Sequence, residues 1–148
     1  MKMKLFTIVL AASISVLSLA GCKKDAAKPG GGGGATMKDK LVGTYKMTEL
    51  KLEQEGGTRD ILAEYSSCDR DNLYVLKADM TSSVIDAGEQ CSPSSNDSGT
   101  WSLPDDETIV MDGQEYNIES LNGNTLKMSV DIEQNGVEAT LNMTYVKQ

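Results

Sequence analysis

The side chains that could carry out chemistry in this chain are three cysteines and 22 acidic residues, because its 148 residues include no histidine. That absence excludes Ser-His-Asp and Cys-His catalysis, a histidine general base and histidine-ligated zinc. Two carboxylates could serve as general acid and base, but no pair stands out from the general acidity. We therefore expect no enzymatic activity and no cofactor.

The acidic residues could instead bind a metal ion, and two acidic runs, at 69–72 and 105–107, suggest calcium. A helix–loop–helix calcium loop needs Gly at its sixth position and Glu at its twelfth, where counting from Asp69 gives Tyr74 and Met80. That motif is excluded. Either the acidic residues keep strand edges and turns soluble, or they form a loose calcium site at the surface. We expect no metal, and the net charge of −8 argues against a nucleic-acid partner.

The first cysteine ends an N-terminal export signal. Two lysines within the first four residues precede an uncharged segment at 5–19, rich in Leu, Ile, Val and Ala. A bilayer-spanning helix needs about 20 residues, so this segment has the layout of a signal peptide instead. It ends in Leu19-Ala20-Gly21-Cys22, which resembles the lipobox of bacterial lipoproteins. The resemblance implies that residues 1–21 are removed and Cys22 is acylated; an ordinary secretory peptide with a chance cysteine is the alternative.

The resemblance to lipoproteins also implies a location. Acyl chains on Cys22 would anchor the chain stably, at about 0.8 kcal/mol per buried methylene. The next residue is Lys23, whereas the enterobacterial sorting rule places Asp there in lipoproteins kept at the inner membrane. The outer membrane is therefore expected. Lys23-Lys24-Asp25 also resembles the charged export tag of surface lipoproteins of the Bacteroidetes, so the periplasmic and the surface face both stay open.

The two remaining cysteines, Cys68 and Cys91, form an even pair in a domain that is expected to be exported. Such a pair predicts a disulfide. A redox or metal-binding pair would need Cys-x-x-Cys spacing or histidine partners, and the chain has neither. Closing the loop between them would stabilise the fold by about 3.5 kcal/mol in the chain-entropy model.

Residues 22–37 form the link between the anchor and the folded part. The link contains Pro29 and five consecutive glycines at 30–34, a composition typical of a flexible tether. A glycine-rich phosphate loop would need a strand before it and a Lys-Ser/Thr with a helix after it, and neither is present. We expect a spacer with a mean reach of about 20 to 25 Å.

Residues 38–148 alternate apolar and polar side chains with a period of two. Residues 126–133 and 137–145 alternate strictly, and the Asn135-Gly136 pair between them is the preferred hairpin turn. Turns of two to four residues allow only antiparallel neighbours, and an eight-stranded meander hides its apolar face by closing. We predict an all-β, small eight-stranded antiparallel up-and-down barrel, with residues 54–67 as a loop containing one helical turn. The predicted strands are 43–53, 72–77, 81–87, 99–103, 108–111, 114–121, 126–133 and 137–145.

This pattern carries a family resemblance. The segment Leu41-Val42-Gly43-Thr44-Tyr45-Lys46-Met47 resembles the opening strand of lipocalin-like domains, with Tyr where Trp is usual. A Cys before Leu73-Tyr74-Val75-Leu76, and Gly99-Thr100-Trp101-Ser102-Leu103 after the second Cys, resemble the small lipocalin-like lipoproteins of the Bacteroidetes. The resemblance implies a lipocalin-like barrel and no particular activity.

The apolar positions of the strands predict the barrel interior. Four tyrosine and tryptophan side chains are expected to point inward, together with several methionines that adapt to varied apolar ligands. Trp101 is expected to fill one end of the barrel as a core residue. An eight-stranded barrel is just wide enough to be filled by side chains or to hold one small ligand. If a pocket exists, the residues expected to line it are Tyr45, Met47, Trp101, Met128 and Met143.

Two functional hypotheses follow from this sequence. The first is a non-enzymatic, membrane-tethered protein that binds a small apolar molecule in a lining almost free of charge. The second is an envelope interaction module with a filled barrel, whose loops at 54–67 or 89–97 contact a protein or glycan.

Overall fold

The computed structural model describes residues 34–134 and 136–148. The predicted signal peptide, the lipidation site Cys22 and most of the tether therefore lie outside the described residues. Within the described part of the chain, no helix is both long and apolar enough to cross a membrane.

The described residues form nine strands and three short helical segments. Helix α1 spans Met37–Leu41 and α2 spans Ser67–Arg70, with a 3₁₀ turn at Leu62–Glu64. The strands are β1 (Gly43–Gln54), β2 (Gly57–Asp60), β3 (Leu73–Leu76), β4 (Thr81–Ile85), β5 (Asp97–Ser102), β6 (Thr108–Met111), β7 (Gln114–Asn122), β8 (Thr125–Gln134) and β9 (Val137–Lys147).

The strands form one antiparallel sheet that closes on itself. Strand β1 pairs with β9 along one side, and on its other side with β3 and then with β2. From β3 to β9, each strand pairs with the next one in the chain. Strands β1 and β3–β9 therefore make a closed eight-stranded barrel, which confirms the predicted fold, while β2 is an outgrowth on β1.

Strand β2 corrects the predicted loop at 54–67. All four of its residues are exposed, so its sequence Gly-Thr-Arg-Asp has no apolar alternation to reveal a strand. Gly56 and Gly57 at its turn both have positive φ, of 105° and 139°. The expected single helical turn is present as the 3₁₀ turn at Leu62–Glu64.

The end of the barrel at which β1 starts and β9 finishes, here called the near end, is covered by α1. Thr36 and Asp39 form a capping box that starts this helix, and Leu41 at its last position is fully buried. The Tyr45 hydroxyl donates to the Leu41 carbonyl at 2.7 Å. The Lys147 ammonium donates to the carbonyls of Lys40 and Val42, both at 2.8 Å. The last strand thus fastens the covering helix.

Trp101 fills the same end from inside. Its side chain is 2 % exposed, and its Nε1 donates to the Lys77 carbonyl in the turn between β3 and β4 at 2.9 Å. Two other inward residues toward this end, Ile109 on β6 and Leu126 on β8, are 0 % and 2 % exposed. The near end is therefore densely packed, and Trp101 is part of the core as expected.

Candidate functional site

The barrel contains a partly open cavity of about 340 Å³. It lies toward the far end, opposite α1, since its lining includes the start of β5 at Asp97 and the turn between β6 and β7 at Asp112. The volume is about twice that of an engineered 150 Å³ cavity that binds benzene, and falls at the lower limit of small-molecule sites. The space suits a ligand with one or two rings.

Small residues on β4 and β5 leave this space open. Strand register places Leu76, Ser82 and Gly99 opposite one another on three successive strands. Leu76 is 6 % exposed and belongs to the core, so its paired neighbours Ser82 and Gly99 also face inward. Serine fills little of the interior at position 82, and glycine at position 99 leaves room for the Asp112 carboxylate, which lies where a Cβ atom would be. The cavity is thus a direct result of local sequence.

Four tyrosines line the cavity: Tyr45, Tyr74, Tyr116 and Tyr145. Tyr74 pairs with Tyr45 across β3 and β1, and its ring meets the Tyr145 ring edge to face, with centroids 5.3 Å apart. The Tyr145 side chain is 6 % exposed, and the only hydrogen-bond partner of its hydroxyl among the described residues is the Met143 sulfur, at 3.8 Å. The cavity therefore offers aromatic faces together with phenolic hydroxyls.

The tyrosines stay neutral at physiological pH. Burial raises the pKa of Tyr45 to about 12. Burial also raises the pKa of Tyr145, with a further rise from the neighbouring Tyr74 and Tyr116. The pKa of Tyr116 is raised by burial and then by the nearby Asp112 carboxylate. At physiological pH these hydroxyls therefore keep their protons and can form hydrogen bonds.

The mouth of the cavity consists of the lining residues that are also exposed, and it is polar. Asp112 begins a two-residue turn with φ of 51°, followed by Gly113 with φ of 85°, as in a type I′ hairpin. The Asp112 carboxylate accepts from the Thr100 backbone N–H at 2.7 Å. The expectation of a lining almost without charge is wrong at this point, because two carboxylates belong to it. The mouth residues are Asp97, Ser98, Asp112 and Gln114.

The structure separates the five predicted pocket residues into two groups. Tyr45 and Met128 line the cavity. Trp101 and Met143 are buried in the core, and Met47 packs against it, outside the lining. Contact of any of the five with a ligand stays a prediction.

Tyr74 lines the cavity although the sequence did not single it out. Every residue of β3, Leu-Tyr-Val-Leu, is apolar or aromatic, so alternation cannot show which side faces inward. Tyr74 pairs with the buried Tyr45, and this pairing shows that the Tyr74 side chain faces inward.

The predicted disulfide between Cys68 and Cys91 is confirmed, with the two Cα atoms 5.3 Å apart. It joins α2 to the loop that follows β4. Among the described residues, the one group with the spacing of metal ligands is Cys68, Asp69 and Cys91, and the disulfide occupies both of its sulfur atoms.

Asp86 holds the same loop in place. Its side chain is 5 % exposed, and its carboxylate accepts from the backbone N–H groups of Cys91, at 3.2 Å, and Ser95, at 3.1 Å. Burial raises the pKa of this carboxyl, but hydrogen bonds from Cys91, Ser94 and Ser95 outweigh burial and lower the pKa below its ordinary value. The ionised form is therefore the one that stabilises the loop.

We expect Asp86→Asn to lower the melting temperature of the protein at pH 7. A lowered folded-state pKa stabilises the fold above the unfolded-state pKa of about 3.9, and this contribution is lost as the pH falls through the folded-state value. The difference between native protein and variant should thus shrink toward pH 2. Melting curves at pH 7 and pH 2 measure it, with the exposed Asp106→Asn as the control. An equal difference at both pH values would contradict this role of the charge.

Comparison with known proteins adds one finding. A family model described as a lipocalin-like domain matches residues 41–128, which are 88 of the 148 residues. No curated protein and no solved structure matches the chain. The match covers the opening strand, the cysteine pair and the Gly-Thr-Trp strand on which the resemblance rested.

Proposed function

Because the chain belongs to the family of lipocalin-like domains, we propose that it is a non-enzymatic protein that binds one small, largely apolar molecule inside its barrel. The cavity of about 340 Å³ is the observation that supports this proposal most directly. A barrel that served only to display loops would be expected to have a filled interior. The cavity instead favours the binding hypothesis over the interaction module.

The floor of the cavity supports an apolar ligand body. Leu76, Leu126 and Met128 are at most 6 % exposed and line the cavity together with the tyrosine rings. Apolar surface with a few placed polar groups is the usual make-up of a small-molecule site. Chemistry on the ligand is not part of the proposal, because the chain has no histidine and its cavity tyrosines are neutral.

The proposal includes an anchor at the outer membrane, carried by lipids on Cys22. It is supported by the lipobox-like sequence at 19–22 and by Lys23 after it. A glycine-rich spacer before α1 would let the barrel reach away from the lipid surface. We expect metabolic labelling with an alkyne fatty acid to mark the native protein, and Cys22→Ala to abolish the label.

Native mass spectrometry of the intact protein, taken gently from its own host, tests the binding proposal. We expect an added mass that disappears after organic extraction. Ser82→Phe should reduce its occupancy at least tenfold, because Ser82 faces inward and a phenyl ring would take up the ligand's space.

Ser102→Phe is the matched control. It is the same exchange on the neighbouring strand β5, at an exposed position next to the inward Trp101 and outside the lining. This variant should keep the added mass. A bare mass for the native protein, or equal occupancy in both variants, would count against the cavity as the binding site.

A further inference from the structure

The cavity contains acidic groups without basic ones. Asp97 and Asp112 line it, and none of the described lining residues is Lys or Arg. Neither carboxylate belongs to an ion pair among residues 34–134 and 136–148. From Ala78 to the end of the sequence there are 13 acidic residues and only two basic ones, Lys127 and Lys147. The field at the mouth therefore attracts cations and repels anions.

The two carboxylates lie on the same part of the mouth. Asp97 and Gly99 are alternate inward residues of β5, which places them about 7 Å apart along the strand. The Asp112 side chain lies directly over Gly99, in the space that a Cβ atom would occupy. Because Gly99 has no side chain, Asp112 can reach over β5 toward Asp97. One ligand group can thus be near both carboxylates.

The two mouth carboxylates have hydrogen-bond acceptor capacity that the protein does not use. Each mouth carboxylate accepts one backbone N–H on one oxygen, from Ser98 to Asp97 at 2.8 Å and from Thr100 to Asp112 at 2.7 Å. The buried Tyr145 hydroxyl has only the weak Met143 sulfur contact among the described residues. Buried hydroxyls normally have an oxygen or nitrogen partner. A ligand with several N–H donors can use the free carboxylate oxygens, while the Tyr145 hydroxyl can either donate to a ligand or accept from it.

Aromatic rings complete the arrangement. The Lys147 ammonium already lies 5.4 Å from the Tyr45 ring centroid near the covered end, which leaves Tyr74, Tyr116 and Tyr145 for a ligand. Aromatic faces attract organic cations as well as apolar groups. Tyr116 is also close enough to Asp112 for the carboxylate to raise its pKa.

We propose that the ligand of this cavity is a small aromatic or apolar amine, whose ammonium group binds between Asp97 and Asp112 while its body packs against the tyrosine rings. This inference rests on the proposed function and narrows it, because fatty acids and other anionic amphiphiles are then poor ligands.

Calorimetric titration of the intact protein at pH 7 with three probes tests the charge preference. The probes are 2-naphthylmethylamine, 2-naphthylmethanol and 2-naphthoate, which share one body and differ in charge. We expect the amine to bind about tenfold more tightly than the alcohol, which corresponds to about 1.4 kcal/mol. The carboxylate should bind most weakly of the three.

The double variant Asp97→Asn/Asp112→Asn should reduce the amine preference to about twofold or less. Asparagine keeps an acceptor oxygen for the backbone N–H groups and tolerates the positive φ at position 112. Unchanged binding of the alcohol shows that the variant is folded. Asp106→Asn/Glu107→Gln removes two charges from the turn at the near end and should retain the full preference.

The outcomes separate this inference from the proposed function. Equal binding of amine and alcohol, or an amine preference that survives in the Asp97/Asp112 variant, would overturn the amine proposal and leave ligand binding standing. Failure of all three probes to bind would also overturn the amine proposal, while the added mass in native mass spectrometry tests ligand binding separately.

Discussion

Replacement of Trp101 by alanine should lower the free energy of unfolding by about 3–5 kcal/mol. The indole is 2 % exposed, and it packs in the core at the near end, away from the lining of the cavity. Truncation would remove its apolar contacts, open a second void and leave the Lys77 carbonyl without its indole N–H. This loss is a large part of the 5–15 kcal/mol that a domain of ordinary stability has.

Urea denaturation of the intact protein measures this effect. Trp101→Phe keeps most of the apolar ring and loses the N–H donor, so its cost should be about 1–3 kcal/mol. Tyr65→Ala, at a side chain that is 49 % exposed, is the surface control and should cost less than about 1 kcal/mol. A loss below about 1 kcal/mol for Trp101→Ala would mean that the near end is not the densely packed part of the barrel.

Removal of the Cys68–Cys91 disulfide should cost about 3.5 kcal/mol. The bond links positions 23 residues apart and restricts the unfolded chain. The loop that it closes starts inside α2 and contains β3 and β4, so the bond also fixes the segment after β4 to the helix that precedes β3. The core of a barrel this small cannot easily compensate for such a loss.

Cys68→Ser/Cys91→Ser should show this loss as a lower urea midpoint with a somewhat steeper slope, because the unfolded chain is less compact without the cross-link. A reducing agent should produce a similar shift in the native protein. The same agent added to the double variant is the control, and it should change nothing. A native protein whose midpoint is insensitive to reduction would show that the cross-link adds no stability.

The sequence allowed the barrel to be predicted because its strands follow simple rules. Strict alternation in 126–133 and 137–145 leads directly to the observed register, with Met128 opposite Met143 and Leu126 opposite Tyr145. The short turns allow only antiparallel pairing of neighbouring strands. The two cysteines left in the domain predict one disulfide. These features are local, so one sequence is enough to read them.

The cavity was harder to predict because it depends on small residues at inward positions where large side chains would fill the barrel. Ser82 and Gly99 look like ordinary strand residues until the register of β3, β4 and β5 places them side by side. Asp97 was expected in a loop, and Asp112 was expected in a turn where acids are common. Neither position reveals a mouth before three-dimensional contacts are known. Large apolar residues such as Trp101 and Met143 instead suggested pocket contacts, although they fill the core.

Closure of the barrel by pairing of β1 with β9 makes assembly depend on the synthesis of β9. Nine residues of β1 between Tyr45 and Gln54 pair with β9, which covers one whole side of the strand, and the Gln148 N–H donates to the Thr44 carbonyl at 2.9 Å. Until β9 has emerged from the ribosome, β1 and β8 both have open edges to which strands of other chains could pair. Barrel closure is therefore a late folding step that joins residues far apart in the sequence. Before that step, the nascent chain has to be kept from aggregating.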